Sequence, residues 1–170
     1  MSGKLVGLMI LLSAALVGAG VYYAQVYGYY QVVEDAEVRL TTFDDRVEPI
    51  LIESFDAIDA GSSPIRYRAC FTTPTSLPTF TETYLPFDTA EPLNAPGWFD
   101  CFDAGEIAAW LRSGKALAFV GEANIEYGID RVVVITVDGR GYVWHQVNAC
   151  GDKLYDGSPA ADDCPARQER

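Results

Sequence analysis

The chain has 170 residues, a formal net charge of −12 and four cysteines. Residues 31–170 carry 11 basic and 24 acidic side chains, a net −13. A surface of that sign repels nucleic-acid phosphates and anionic headgroups, which excludes nucleic-acid binding and favours a cationic partner over an anionic one. The plainer reading of the same charge is solubility.

Leu5–Tyr23 contains no charged residue and no proline. As a helix these residues rise ~28 Å, close to the ~30 Å of a bilayer's hydrocarbon core. The stretch is therefore predicted to be a membrane anchor, with residues 5–23 in the lipid bilayer. Tyr22, Tyr23, Tyr27, Tyr29 and Tyr30 crowd its far end, where amphipathic rings suit the wet interface. The competing reading is a cleaved signal peptide, with Lys4 as its n-region and Val17 and Ala19 at the −3 and −1 positions. The apolar run continues past that site into the tyrosines, which favours an uncleaved anchor. Lys4 is the only basic side chain before the span and Arg39 the next. The positive-inside bias then places the N-terminus in the cytoplasm, the span in the inner membrane and the bulk of the chain in the periplasm. Ala14/Gly18, Ala15/Ala19 and Gly20/Ala24 are small residues four apart, a spacing that permits close helix approach.

Three regions follow from this reading: an anchor with its tyrosine belt over residues 1–30, an envelope-facing α+β domain over 31–147, and a polar tail over 148–170. Within the domain, Glu37–Phe43 alternates as a half-buried strand, and Asp44-Asp45 is a turn. Val47–Glu53 reads as a second strand with Pro49 at an edge. The helical spacing of Val47, Ile50, Leu51, Phe55 and Ile58 offers a helix as the alternative. Residues 60–64 are a loop, and Ile65–Thr72 is a strand. Residues 73–100, rich in proline and threonine, are irregular, with an extended piece at Thr79–Leu85. They end in the aromatic run Trp98-Phe99, expected to fold back onto the core.

Asp103 and Glu106 have the spacing of a capping box, Ile107, Trp110 and Leu111 form an apolar helix face, and Gly114 supplies the stop. Ala116–Val120 is a short strand and residues 121–129 are a connector. Arg131–Val137 and Tyr142–Val147 flank Asp138-Gly139 and predict a hairpin. The expected fold class is α+β: an N-terminal transmembrane helix, then one mostly antiparallel sheet domain with one packed helix.

Cys70, Cys101, Cys150 and Cys164 contain no Cys-x-x-Cys pair, so thioredoxin-type, zinc-ribbon and haem-attachment signatures are missing. An even count outside the cytoplasm points to disulfides. Of the three pairings open, Cys70–Cys101 and Cys150–Cys164 are preferred. Four reduced thiols would require the opposite topology. His145 is the only histidine, so a histidine-based metal site within one chain is ruled out. Alternation puts it on the opposite strand face from Trp144, and a surface or edge imidazole with a structural hydrogen bond is the plain reading. The pairs Asp44/Asp45, Asp56/Asp59, Asp100/Asp103 and Asp162/Asp163 single out no catalytic spacing, and solvated charge is their default. No hydrolase elbow, zincin, Walker or dinucleotide motif is present. No catalytic group, metal or cofactor is therefore assigned.

The segments Ser62–Phe71, Pro96–Asp103 and Asp130-Arg131, Asp138-Gly139-Arg140 and Trp144-His145-Gln146, together with the anchor, resemble an uncharacterised family of short, membrane-anchored alphaproteobacterial proteins. The resemblance covers the chain to about residue 147 and implies a one-pass topology and no activity. The first functional expectation is a non-enzymatic accessory or protein-interaction domain, contacting a membrane-protein or cationic partner through Trp98 and Phe99 or through the anchor. The alternative is a tethered small-ligand binder or enzyme with a site between residues 73–100 and the hairpin, near His145. A thiol-disulfide protein is a third.

Overall fold

The computed structural model describes residues 2–34, 37–155, 157–158, 161 and 164–165. Residues 1–30 and 31–170 form two separate compact units. The first is helix α1, Gly3–Tyr23, continued by a π-helical turn over Ala24–Gly28. All 26 residues together are long and apolar enough to cross a membrane. A signal sequence meets the same criterion. The leucines of α1 and Tyr22, Tyr23, Tyr27 and Tyr29 are exposed within the unit, from Leu16 at 74% to Tyr27 at 45%.

The second unit is built on a six-stranded antiparallel sheet in the order β1-β4-β5-β8-β7-β6. The strands are β1 Gln31–Val32, β4 Ser54–Asp59, β5 Arg68–Thr72, β6 Ala116–Glu126, β7 Ile129–Thr136 and β8 Arg140–Val147. A separate hairpin pairs β2, Arg39–Thr41, with β3, Val47–Pro49.

Alternation sends successive side chains to opposite faces, and here both faces are covered. One face carries Ala57, Tyr67, Ala69, Phe71, Val133, Ile135 and Val143, packed under Val38 and Leu40 from the hairpin side and Phe80 from helix α2, Leu77–Thr83. The other carries Cys70, Val132, Val134, Tyr142 and Trp144, packed under Ile107 of helix α3, Ala104–Ser113, and Phe102. Val132, Val133, Val134 and Ile135 are all at 0% exposure. That unbroken apolar run is what a strand buried on both faces requires. Burying such a side chain is worth about 1.5–3 kcal/mol, so β7 is the keel of the domain.

Helix α3 forms as expected. Asp103 Oδ1 accepts from the Glu106 N–H at 3.0 Å, which satisfies one of the orphan donors of the first turn. Gly114, at φ 71°, closes the other end. The β7–β8 hairpin also forms, through a three-residue loop with Gly139 at φ 80°. The disulfides join Cys70 to Cys101 and Cys150 to Cys164.

Other expectations need correction. Ser54–Asp59 is a strand, β4, not a helix, and β3 ends at Pro49. Asp56, Ala57 and Asp59 have little strand preference, but β4 lies between β1 and β5, and cross-strand pairing overrides propensity there. The extended piece expected at Thr79–Leu85 is instead α2, so two helices pack on the sheet domain. Pro78 sits in its first turn, where a missing N–H costs nothing. The Thr81 and Thr83 hydroxyls satisfy themselves on the Pro78 and Thr79 carbonyls at 2.8 Å each. Residues 64–66 are a 3-10 turn ahead of β5. The connector expected at 121–129 is largely β6, which runs to Glu126 through two register shifts. Of the tail, Asp162 and Asp163 lie outside the described residues.

Candidate functional site

The lone histidine is buried at 6% exposure, in a strand flanked on both sides. It is therefore neither a surface nor an edge imidazole. His145 pairs with Arg131 across β8 and β7, and its ring stacks on Tyr67 at 4.7 Å between centroids. The Arg131 guanidinium lies 5.1 Å from the Tyr67 ring centre. Both imidazole nitrogens are occupied: Nε2 accepts from Arg131 Nε at 3.1 Å, and Nδ1 meets the Pro64 carbonyl at 2.6 Å. Burial holds the His145 pKa down at about 4, with the Arg131 and Arg68 charges acting in the same direction. Burial likewise raises the Tyr67 phenol, with Asp59 adding to it. A neutral imidazole locked between two partners is a fastener for the turn at 64–66, not a free base.

The irregular segment 86–103 crosses the opposite face and is tied down at three places. Gln146 accepts from the Glu91 N–H and donates to the Thr89 carbonyl, both at 2.8 Å. Arg68, at 5% exposure, donates Nε to Leu93 O at 2.9 Å and an Nη to Asn94 O at 3.1 Å. It also reaches the Ile65 and Tyr67 carbonyls. Cys101 is bonded to Cys70 on β5. Trp98 and Phe99 are half-buried and meet edge to face at 6.4 Å, and Phe99 packs against the core cluster beneath. His145 is on the Tyr67 face and Phe99 on the Trp144 face. The structure thus does not bring the three candidate interaction residues together.

Arg68 and Gln146 were not singled out from the sequence. The usable signal was a charged residue inside an otherwise buried strand run, at Arg68, and an amide alternating in register with Trp144. A second missed pattern is a repeated turn. Thr42-Phe43-Asp44-Asp45-Arg46 and Thr136-Val137-Asp138-Gly139-Arg140 close the β2–β3 and β7–β8 hairpins with the same bonds. In each, the threonine hydroxyl donates to the aspartate and accepts from the arginine N–H, and the arginine Nε donates back to the aspartate. These bonds hold Asp44 at about 2, the Arg46 contact being the largest cause, and lower Asp138 through Thr136 first. Each turn leaves an apolar residue outside: Phe43 at 57% exposure and Val137 at 66%.

A cavity of about 420 Å³ opens beside β6, with Phe43, Tyr84, Phe87, Leu111, Leu117 and Asp88 among its walls. The outer edge of β6 is closed there by backbone bonds, Phe87 N–H to Ala118 O and Val120 N–H to Leu85 O, both 2.9 Å. At the other end of the sheet, Asn148 holds the start of the tail. Its Nδ2 donates to Asp130 Oδ1 at 2.7 Å, and its Oδ1 accepts from the Cys150 N–H at 3.0 Å. Among the described residues no three His, Cys, Asp or Glu side chains are grouped to hold a metal ion.

No curated protein and no solved structure matches the chain. The model of a family of unknown function, DUF6446, matches residues 38–165, which spans strands β2 to β8, both disulfides and most of the tail. The chain belongs to that family.

Proposed function

We propose that this protein is a membrane-tethered accessory domain that engages another protein in an oxidising compartment outside the inner membrane, with its N-terminus in the cytoplasm. The observation that carries the reading is the pairing of a 26-residue apolar helix, uncharged beyond Lys4, with a domain closed by two disulfides. Disulfides persist in periplasmic rather than cytosolic surroundings, and Lys4 lies on the side of the span that the positive-inside bias assigns to the cytoplasm. The tyrosine belt at Tyr22–Tyr30 supports an uncleaved anchor over a signal peptide. The polar side chains support a non-catalytic role: the buried His145 and Arg68 and the half-buried Gln146 each fasten a loop to the sheet.

The test is membrane fractionation and protease protection of the full chain, with N-terminal sequencing of the mature form. Retention in the membrane after alkaline washing, an intact Lys4, and digestion of residues 31–170 only from the outer side are expected. A mature chain beginning after Ala19 would overturn the tether.

A further inference from the structure

Antiparallel register places Asp59, Arg68, Val147 and Ile129 at one end of the sheet, where Gln31 pairs with Asp59. Ser54, Thr72, Arg140 and Thr136 are at the other end. The two ends are separated by ~17 Å of strand, at about 3.3 Å per residue. Apolar side chains are bare at both ends, Val32 and Val147 among them at the Gln31 end, but the end away from Gln31 sets them around the cavity beside β6. Phe43 (57% exposed) and Leu117 (37%) flank the 420 Å³ cavity beside β6. Val137 (66%) follows β7 with its N–H on the Lys115 carbonyl, and Leu51 (66%) is tied by its carbonyl to Thr73, whose own N–H bonds Gly139.

Charge at this end is biased. Arg46 and Arg140 are held by Asp44 and Asp138. Glu91 and Arg112 share the adjoining hollow and offset each other. Asp45, Glu53 and Asp88 are then set against Lys115, in a domain that is already net −13.

We infer that this end of the sheet is the docking surface of the domain, and that it takes a basic protein partner which seats an apolar side chain between Phe43 and Leu117. The inference rests on the accessory-domain reading and locates its contact. An apolar centre with an acidic rim selects a cationic surface by steering and by suppressing like-charged alternatives. A second copy of this acidic chain is repelled. An anionic lipid surface is disfavoured by the same acidic charge.

The test is in-cell photocrosslinking of the full chain with p-benzoylphenylalanine at position 43, at position 117, or, as control, at Ser62, which is exposed in the loop at the Gln31 end. Polypeptide adducts from 43 and 117 but not 62 are expected, with a partner of net positive surface. Their yield should fall about five-fold or more in D45K/D88K, a variant whose unfolding midpoint is checked to be unchanged. Adducts from 62 alone would sink this surface and leave the accessory reading standing. Adducts from 43 or 117 to lipid or to a second copy, or indifference to the charge reversal, would overturn the inference. No polypeptide adduct from any position would overturn both.

Discussion

Arg131 donates its Nε–H to Nε2 of His145 at 3.1 Å, and a guanidinium can only donate. The imidazole proton is therefore on Nδ1, directed at the Pro64 carbonyl 2.6 Å away. Tautomer and charge state are set by the neighbours, and the consequence is a pH-dependent stability.

The folded His145 pKa of about 4 is below the ordinary 6.5. Between those values the unfolded chain binds more protons than the folded one, so stability rises with pH across that window. On acidification from pH 7 to 4 the domain should lose about 3 kcal/mol from this group. Denaturant unfolding at several pH values measures it, with His145→Gln as the comparison. The variant should show a flatter profile through pH 4–6.5; an unchanged slope would mean His145 is not its source.

Arg68 spreads its guanidinium over four backbone carbonyls. Arg68→Ala should cost about 2–4 kcal/mol, because buried carbonyls lose charge-assisted partners. Hydrogen exchange should rise first over residues 86–95, where the bonds to Leu93 and Asn94 are lost. Arg68→Lys cannot reproduce the planar fork and should recover less than half of the loss.

The two disulfides should differ. Cys70 is at 9% exposure within the core cluster while Cys101 is exposed. A reductant attacking Cys101 must expel a buried Cys70 thiolate, a poor leaving group in apolar surroundings. Cys150 and Cys164 are both half-buried. Timed reduction with mass mapping should open Cys150–Cys164 first. Replacing Cys70 and Cys101 by alanine should cost about 4 kcal/mol by the loop-entropy argument. Replacing the tail pair, which closes a shorter loop of 14 residues, should cost less, about 3 kcal/mol by the same argument.

The twin turns make opposite predictions at their fourth position. Gly139 has φ 80°, and a Cβ there would meet the Thr73 carbonyl oxygen at 2.7 Å, so Gly139→Ala should cost about 2 kcal/mol or more. Asp45 occupies the matching place at φ 58°, strained for a residue with a side chain. Asp45→Gly should be neutral or stabilising by up to about 1 kcal/mol. Thermal unfolding of the two variants checks the pair, and a loss in both would refute the equivalence of the turns.

Local chemistry alone made much of this protein legible. The charge-free run at Leu5–Tyr23, the Asp103 cap with its Gly114 stop and the β-branched run at Val132–Ile135 each encode an element within a dozen residues, because capping, apolar periodicity and turn conformation act over one or two turns of chain. The even cysteine count pointed to disulfides, and the folded structure decided which of three pairings forms. What tertiary structure decided is where long-range pairing outweighs local preference. Ser54–Asp59 becomes a strand only because β1 and β5 receive it, and β6 extends to Glu126 only because β7 offers a ladder. The candidate residues divided for the same reason. Period-two alternation put His145 and Trp144 on opposite faces, but only the folded sheet showed that both faces are covered. Burial turned His145 and Phe99 into packing, and left Phe43 and Leu117 bare at one cavity, a proximity no linear spacing records.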